Sequence, residues 1–180
     1  MKVIPTALEG LVELQPRVFE DPRGYFFESY NAAVFTENGI DVAFHQDNQS
    51  LSQKGVLRGL HFQNPPHAQG KLVRVIKGAV LDVSVDIRKG SSTYGQHAAI
   101  TLTESQKNMI WIPPGFAHGF LTLEDETIFA YKCSGFYNKE AEGGLRWDDP
   151  DLHIDWGVTD PLVSEKDRQH PFFRDFSSLF

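Results

Sequence analysis

The chain has 180 residues, 41% hydrophobic and 23% charged, proportions of a folded globular protein that exclude wholesale disorder and fibrous repeats. Its 24 Asp and Glu outnumber 17 Lys and Arg, for a formal charge of -7, and no Lys/Arg-dense run offers the footprint of a general nucleic-acid binder or of a protein lying on anionic lipid. The length suits one domain over residues 1–180.

The N-terminal Met1-Lys2-Val3-Ile4-Pro5 lacks the long apolar region of a secretory signal. Asn31 to Asn38 reads as a short helix, capped by Asn31 and ended by Gly39. Val56 to Gln63 reads as a strand, and so does Lys71 to Ile76, with Lys71, Val73 and Val75 on one face and Leu72, Arg74 and Ile76 on the other. Gly78 marks a turn. Val80 to Ile87 alternates most clearly, with Leu81, Val83, Val85 and Ile87 in one row and Asp82, Ser84 and Asp86 in the other, and is expected to form a hairpin with Lys71–Ile76. The longest apolar stretch, Val73 to Ile87, is broken by Arg74, Lys77, Asp82 and Asp86, which excludes a membrane span.

Further strands are expected at His97–Leu102, Asn108–Ile112, Ala117–Leu123 and Thr127–Cys133. A second short helix begins at Ser164, within an acid-rich segment, Asp148–Phe180, read as an extension packed on the rest. Fourteen Phe, fifteen Gly and ten Pro spread along the chain fit short strands and turns, hence an all-β sandwich or barrel. The single cysteine, Cys133, fits a reducing cytoplasm.

Two runs carry chemistry. In Gly55-Val-Leu-Arg-Gly-Leu-His-Phe-Gln63, strict alternation puts Arg58 and His61 on opposite faces, whereas a bulge at Gly59 turns both inward. The run alone fits equally a solvated Arg and a hydrogen-bonded core His. In Ile112-Pro-Pro-Gly-Phe-Ala-His-Gly-Phe120, a second His follows a Pro-Pro-Gly turn. The two runs resemble the halves of the cupin signature, but Gln63 and Lys71 stand where a metal-binding cupin places ligands. An ammonium cannot ligate Zn or Fe(II).

With Asp21-Pro-Arg-Gly-Tyr-Phe-Phe-Glu28, Gln46-Asp-Asn-Gln-Ser50, Gly70-Lys-Leu-Val-Arg-Val75, Tyr131-Lys132 and Leu162-Val-Ser-Glu-Lys-Asp167, these runs resemble the dTDP-4-dehydrorhamnose 3,5-epimerase family, metal-free cupins of the dTDP-L-rhamnose pathway. The resemblance covers nearly the whole chain. It implies a cupin-type jelly-roll barrel with short peripheral helices, no metal, no cofactor, a dTDP-sugar substrate and a homodimer with exchanged strands. It also implies roles. His61 is the base, oriented by Asp167; the Lys71 ammonium stabilises the enolate; Tyr131 donates a proton from the opposite face. Arg58 and Lys166 would meet the diphosphate, Arg23 and Glu28 the nucleotide end, and Tyr137 the thymine. Gln46, Asp47, Asn48, His118 and Glu142 are further expected contacts. The rivals are an epimerase inverting one carbon only, a cupin metalloenzyme, and a non-catalytic sugar-binding jelly roll.

Overall fold

Fourteen strands build two facing sheets and a separate hairpin in the computed structural model, which describes residues 1–180. In chain order they are β1 (Lys2–Pro5), β2 (Val12–Gln15), β3 (Phe19–Asp21), β4 (Gly24–Phe26), β5 (Gln46–Ser52), β6 (Val56–Gln63), β7 (Lys71–Lys77) and β8 (Ala79–Asp86). There follow β9 (His97–Thr103), β10 (Met109–Ile112), β11 (Phe116–Thr122), β12 (Thr127–Cys133), β13 (Glu142–Gly144) and β14 (Leu162–Val163). One sheet has the order β1-β2-β10-β7-β12-β5 and the other β13-β6-β11-β8-β9, with β14 added in parallel beside β6. This is the jelly-roll barrel that the motifs implied. No helix is long and apolar enough to cross a membrane.

The barrel interior is apolar at one end, where Leu8, Leu11, Val73, Val75, Val80, Leu102, Ile110, Ile112, Phe116, Phe120 and Phe129 are buried together. Toward the other end the inward positions turn polar, and the cleft opens there. The two helices fall where the capping residues place them. α1 (Ala32–Glu37) starts at Asn31, whose side chain accepts from the Val34 amide, and stops before Gly39 at φ +83°. α2 (Glu165–Arg168) starts at Ser164, whose hydroxyl accepts from the Asp167 amide at 3.1 Å.

One expectation needs correction. β7 and β8 are not a hairpin: they lie in different sheets, β7 between β10 and β12, β8 between β11 and β9. The single residue between them, Gly78, is too short a link for a two-residue hairpin turn and carries the chain round a corner from one sheet to the other. Its φ is +83°, and Thr127 occupies the space a Cβ would need. β8 alternates as expected, and the structure assigns each of its rows a side. Both of its rows are buried, and the apolar row of Leu81, Val83 and Val85 faces outward, where Leu152, Trp156, Phe173, Phe176 and Phe180 of the C-terminal segment cover it. The polar row faces the barrel interior, where Asp82, Ser84 and Asp86 are almost wholly buried. The C-terminal segment therefore does pack on the barrel, and it is what makes the outward apolar row possible.

Candidate active site

Arg58 and His61 share one face of β6 because that strand carries an extra residue between them. His118 of β11 pairs with His61 and Phe120 with Arg58, so Gly59 and Leu60 together oppose Gly119 alone. Leu57, Leu60 and Phe62 then pack in the outer core, leaving Arg58 and His61 on the inner side. The bulge at Gly59 is thus present. It requires glycine on both strands: a Cβ on Gly59, at φ +136°, would meet the Gly119 backbone, and one on Gly119 the Arg58 carbonyl.

The inner face opens into a cleft of about 580 Å³ lined by Asn48, Arg58, His61, Lys71, His118, Tyr131, Glu142, Lys166 and Asp167 among others. β6 supplies His61, β7 Lys71 and β12 Tyr131, so both sheets contribute. Nε2 of His61 lies 2.7 Å from Oδ1 of Asp167, and the other carboxylate oxygen accepts the Gly59 amide at 3.2 Å. Burial acts to raise the Asp167 carboxyl, but the His170 and His61 rings and the Gly59 amide outweigh it and hold the group well below the usual carboxylate range. An ionised Asp167 can only accept, so Nε2–H donates the hydrogen bond to it and Nδ1 is left as the ring nitrogen with a free lone pair.

The Lys71 ammonium sits 5.8 Å from the centre of the Tyr131 ring and has no carboxylate within 4.0 Å. Burial lowers its pKa, and the negative groups nearest it, Cys133 if ionised and Asp82, only partly restore it. Burial has the opposite sign for Tyr131 and pushes its phenol up, so it stays protonated at neutral pH. His118 lies on the cleft floor with Nε2 2.8 Å from Oδ2 of Asp82, both side chains buried; burial lowers the imidazole and Asp82 opposes it. Asp82 was not among the expected site residues. Its signal is the polar row of β8, whose alternation alone does not say which side of the barrel it faces.

At the mouth, Lys166 pairs with Glu142 at 2.5 Å, and Tyr137 donates to the same carboxylate at 3.2 Å. Gln46 accepts the Tyr137 amide and holds Asn48. Both Gln46 and Tyr137 line a smaller recess that shares His61, Lys71, Tyr131 and Glu142 with the cleft. Arg58 has no acidic partner; its Nε donates to Ser52 at 3.2 Å. It is the uncompensated cation of the entrance.

Three expected contacts lie elsewhere on this chain. Asp47 points to the outer face of β5, paired with Lys132 at 3.0 Å, because the strand's inward positions are Gln46, Asn48 and Ser50. Arg23 pairs with Asp21 on the exposed β3–β4 hairpin, and Glu28 accepts from Asn31. The cupin ligand positions do not fit a metal. The Gln63 amide is fully engaged with the His67 and Phe136 carbonyls and the Asn138 amide, and Lys71 is a cation.

A profile of the family described as dTDP-4-dehydrorhamnose 3,5-epimerase matches residues 5–175. A dTDP-4-dehydrorhamnose 3,5-epimerase of Methanothermobacter thermautotrophicus is 52% identical over 170 residues, covering 93% of this chain and 91% of that one. Among solved structures, the enzyme of the same description from Elizabethkingia anophelis superposes with a TM-score of 0.93 at 47% identity, over 97% of each chain. A dTDP-6-deoxy-D-glucose-3,5-epimerase from Legionella pneumophila, solved in complex with dTDP-4-keto-L-rhamnose, reaches 0.94 at 44% identity, over 98% of this chain and 94% of that one.

Proposed function

The chain belongs to the dTDP-4-dehydrorhamnose 3,5-epimerase family, and from that premise we propose how its cleft inverts C3 and C5 of dTDP-4-dehydro-6-deoxy-D-glucose to give dTDP-4-dehydro-L-rhamnose. The enzyme is an isomerase acting on a nucleotide sugar. Both carbons lie alpha to the C4 carbonyl, so loss of either proton gives an enolate and no cofactor is called for. Such a reaction needs a base on one face, a cation or donor at the oxygen that becomes negative, and an acid on the opposite face.

One observation carries the assignment: His61, Lys71 and Tyr131, from three strands in two sheets, line one cleft with Asp167 bonded behind the His61 ring. His61 Nδ1 removes the proton, and the resulting imidazolium is stabilised by Asp167. The Lys71 ammonium, buried where its field is little screened, balances the enolate. Tyr131 returns a proton to the other face, which turns exchange into inversion. His118, bonded to Asp82, lines the same cleft, and the Asp82 charge favours the ammonium form of Lys71. Arg58, and Lys166 once freed from Glu142, take the diphosphate. Tyr137 and the recess around Gln46 take the nucleotide end.

The same reading makes 1–180 one catalytic domain that works in the cytoplasm as a homodimer. The β3–β4 hairpin is exposed along its whole length, with Phe26 67% exposed, and it carries Arg23 with Glu28 close behind. Such an apolar arm suits a neighbouring subunit, whose cleft it would complete. The direct test is incubation with dTDP-4-keto-6-deoxyglucose in D2O, with products read by NMR. Deuterium at both C3 and C5 with both centres inverted is expected; inversion at one carbon alone would reduce the enzyme to a single-carbon epimerase.

A further inference from the structure

Behind the His61 ring lies a second imidazole that the epimerase chemistry does not use. His170 follows α2, and its ring is wedged over Gly144, which leaves no room for a Cβ. Its Nε2 is buried and has no hydrogen-bond partner; it points toward Oδ1 of Asp167 from 3.7 Å, beyond bonding distance. The same carboxylate oxygen lies 2.7 Å from Nε2 of His61. One ring nitrogen of His61, one of His170 and a carboxylate oxygen of Asp167 all fall within 4.8 Å of one another. The rings meet edge to face, centroids 5.7 Å apart, so the two nitrogens converge on the carboxylate from different directions.

We propose that His61, Asp167 and His170 form a binding site for a divalent transition metal of the Zn2+ type, and that occupancy switches the epimerase off. Two imidazoles and one carboxylate are the donor set that Zn2+ accepts, at about 2.0–2.2 Å from each ligand atom, with a fourth position left for water. Ligand atoms around such an ion are roughly 3.3 Å apart, from tetrahedral geometry at those bond lengths, so the present spacings of 2.7 and 3.7 Å straddle what is needed. The fourth position is reached through the cleft, because the His61 side chain is 34% exposed while Asp167 and His170 close the rear. This site is separate from the cupin ligand positions at Gln63 and Lys71, which cannot hold a metal.

The inhibitory consequence rests on His61 being the base. A metal on Nε2 takes the nitrogen that now carries the proton donated to Asp167. With the ring kept neutral, that proton moves to Nδ1, and the lone pair that would abstract the substrate proton is gone. Asp167 is at the same time drawn to the metal.

The test uses the intact protein stripped with chelator. Titration with ZnSO4 by calorimetry should show one saturating equivalent, Co2+ should develop the visible absorption of a low-coordinate nitrogen and oxygen site, and epimerase activity should fall with occupancy and return with excess EDTA. His170→Gln removes one imidazole and should weaken Zn2+ binding and shift the inhibition curve by at least about tenfold, with a circular dichroism spectrum like the parent's. If that variant fails to fold, the parent still decides: Zn2+ must perturb the imidazole 15N signals of His61 and His170 together. Absence of a saturable equivalent, undiminished binding by folded His170→Gln, or unmoved signals of either ring would overturn the site. Binding at these rings without inhibition would uphold the metal site and count against His61 as the base.

Discussion

His61 and Asp167 are separated by 106 positions in sequence, yet Nε2 of the one stands 2.7 Å from Oδ1 of the other, and the Gly59 amide ties the second carboxylate oxygen to the bulge that turns His61 inward. One buried carboxylate thus reads both the strand irregularity and the ring it orients. Replacing it by an amide keeps the shape and removes the charge. Asp167→Asn should lower kcat by about 10²- to 10⁴-fold, the range for a misoriented or unstabilised general base, with a smaller change in KM.

The same carboxyl ties stability to pH. Its folded-state pKa is depressed well below that of an unfolded Asp, near 3.9, so its contribution is fully present above about pH 4 and is lost as pH falls from there toward the folded value. Urea unfolding at a series of pH values should show parent and Asp167→Asn separated at neutral pH and converging below about pH 4. A gap that stays constant into acid would mean that Asp167 is not ionised through its contacts.

Gly59→Ala tests the bulge. The added methyl would press on the Gly119 backbone, which has no flexible end to yield, at a φ of +136° that L residues rarely adopt. Overpacking alone costs about 1–3 kcal/mol and the backbone conformation roughly 1–3 kcal/mol more. Denaturant unfolding should therefore give a loss of about 2 kcal/mol or more. A variant of parent stability would show that β6 and β11 can separate there.

Oligomeric state is read at the hairpin. If β3–β4 reaches a partner, the parent sediments as a dimer and Phe26→Glu shifts it toward monomer with a raised KM, since Arg23 and Glu28 would no longer reach the neighbouring cleft. A monomeric parent at full activity would remove the hairpin from the site.

Much of this site was legible in the sequence, and its omissions have a common cause. Period-two alternation placed Lys71 with Val73 and Val75 on one face of β7, and the bounding Gly, Pro and charged turns marked Val56–Gln63 and Thr127–Cys133 as strands with the bounds they have. Alternation reports faces, not partners, which is why β7 and β8 were joined wrongly. It also depends on the buried face being apolar. β5 turns Gln46, Asn48, Ser50 and Ser52 inward, so its pattern carries no hydrophobic signal and only motif resemblance drew notice to it. Asp82 escaped for the same reason: where a barrel interior becomes a cleft, the inner row is polar. His170 had no partner in sequence and becomes visible only when α2 folds back onto β6.

Lys71 and Tyr131 are predicted to divide the alkaline side of the rate profile. Burial lowers the ammonium and raises the phenol, so Lys71 loses its proton first as pH rises, below the ordinary lysine range. The limb of kcat against pH should belong to Lys71. Lys71→Arg, which keeps its charge, should be slower but should move that limb upward, while Lys71→Met should lose about 10²- to 10³-fold at neutral pH. A limb unmoved in Lys71→Arg would assign it to another group.

The two proton-transfer roles are separated by isotope exchange. His61→Asn removes the ring nitrogen that opens the reaction, so neither inversion nor wash-in of solvent deuterium should proceed, each falling by the roughly 10²- to 10⁴-fold of a positioned base. In Tyr131→Phe the base and the Lys71 ammonium remain, so the enolate still forms. With no donor on the far face, the imidazolium, after exchanging its proton with D2O, delivers deuterium back to the face from which hydrogen was taken. The substrate should therefore gain deuterium at C3 and C5 with its configuration kept, while product formation falls. Both variants need unfolding midpoints near the parent's, since a collapsed cleft would stop both processes. Tyr131→Phe inverting at the parent rate would mean that water or another group supplies the second proton. Equal loss of exchange in both variants would instead make Tyr131 part of the deprotonation step.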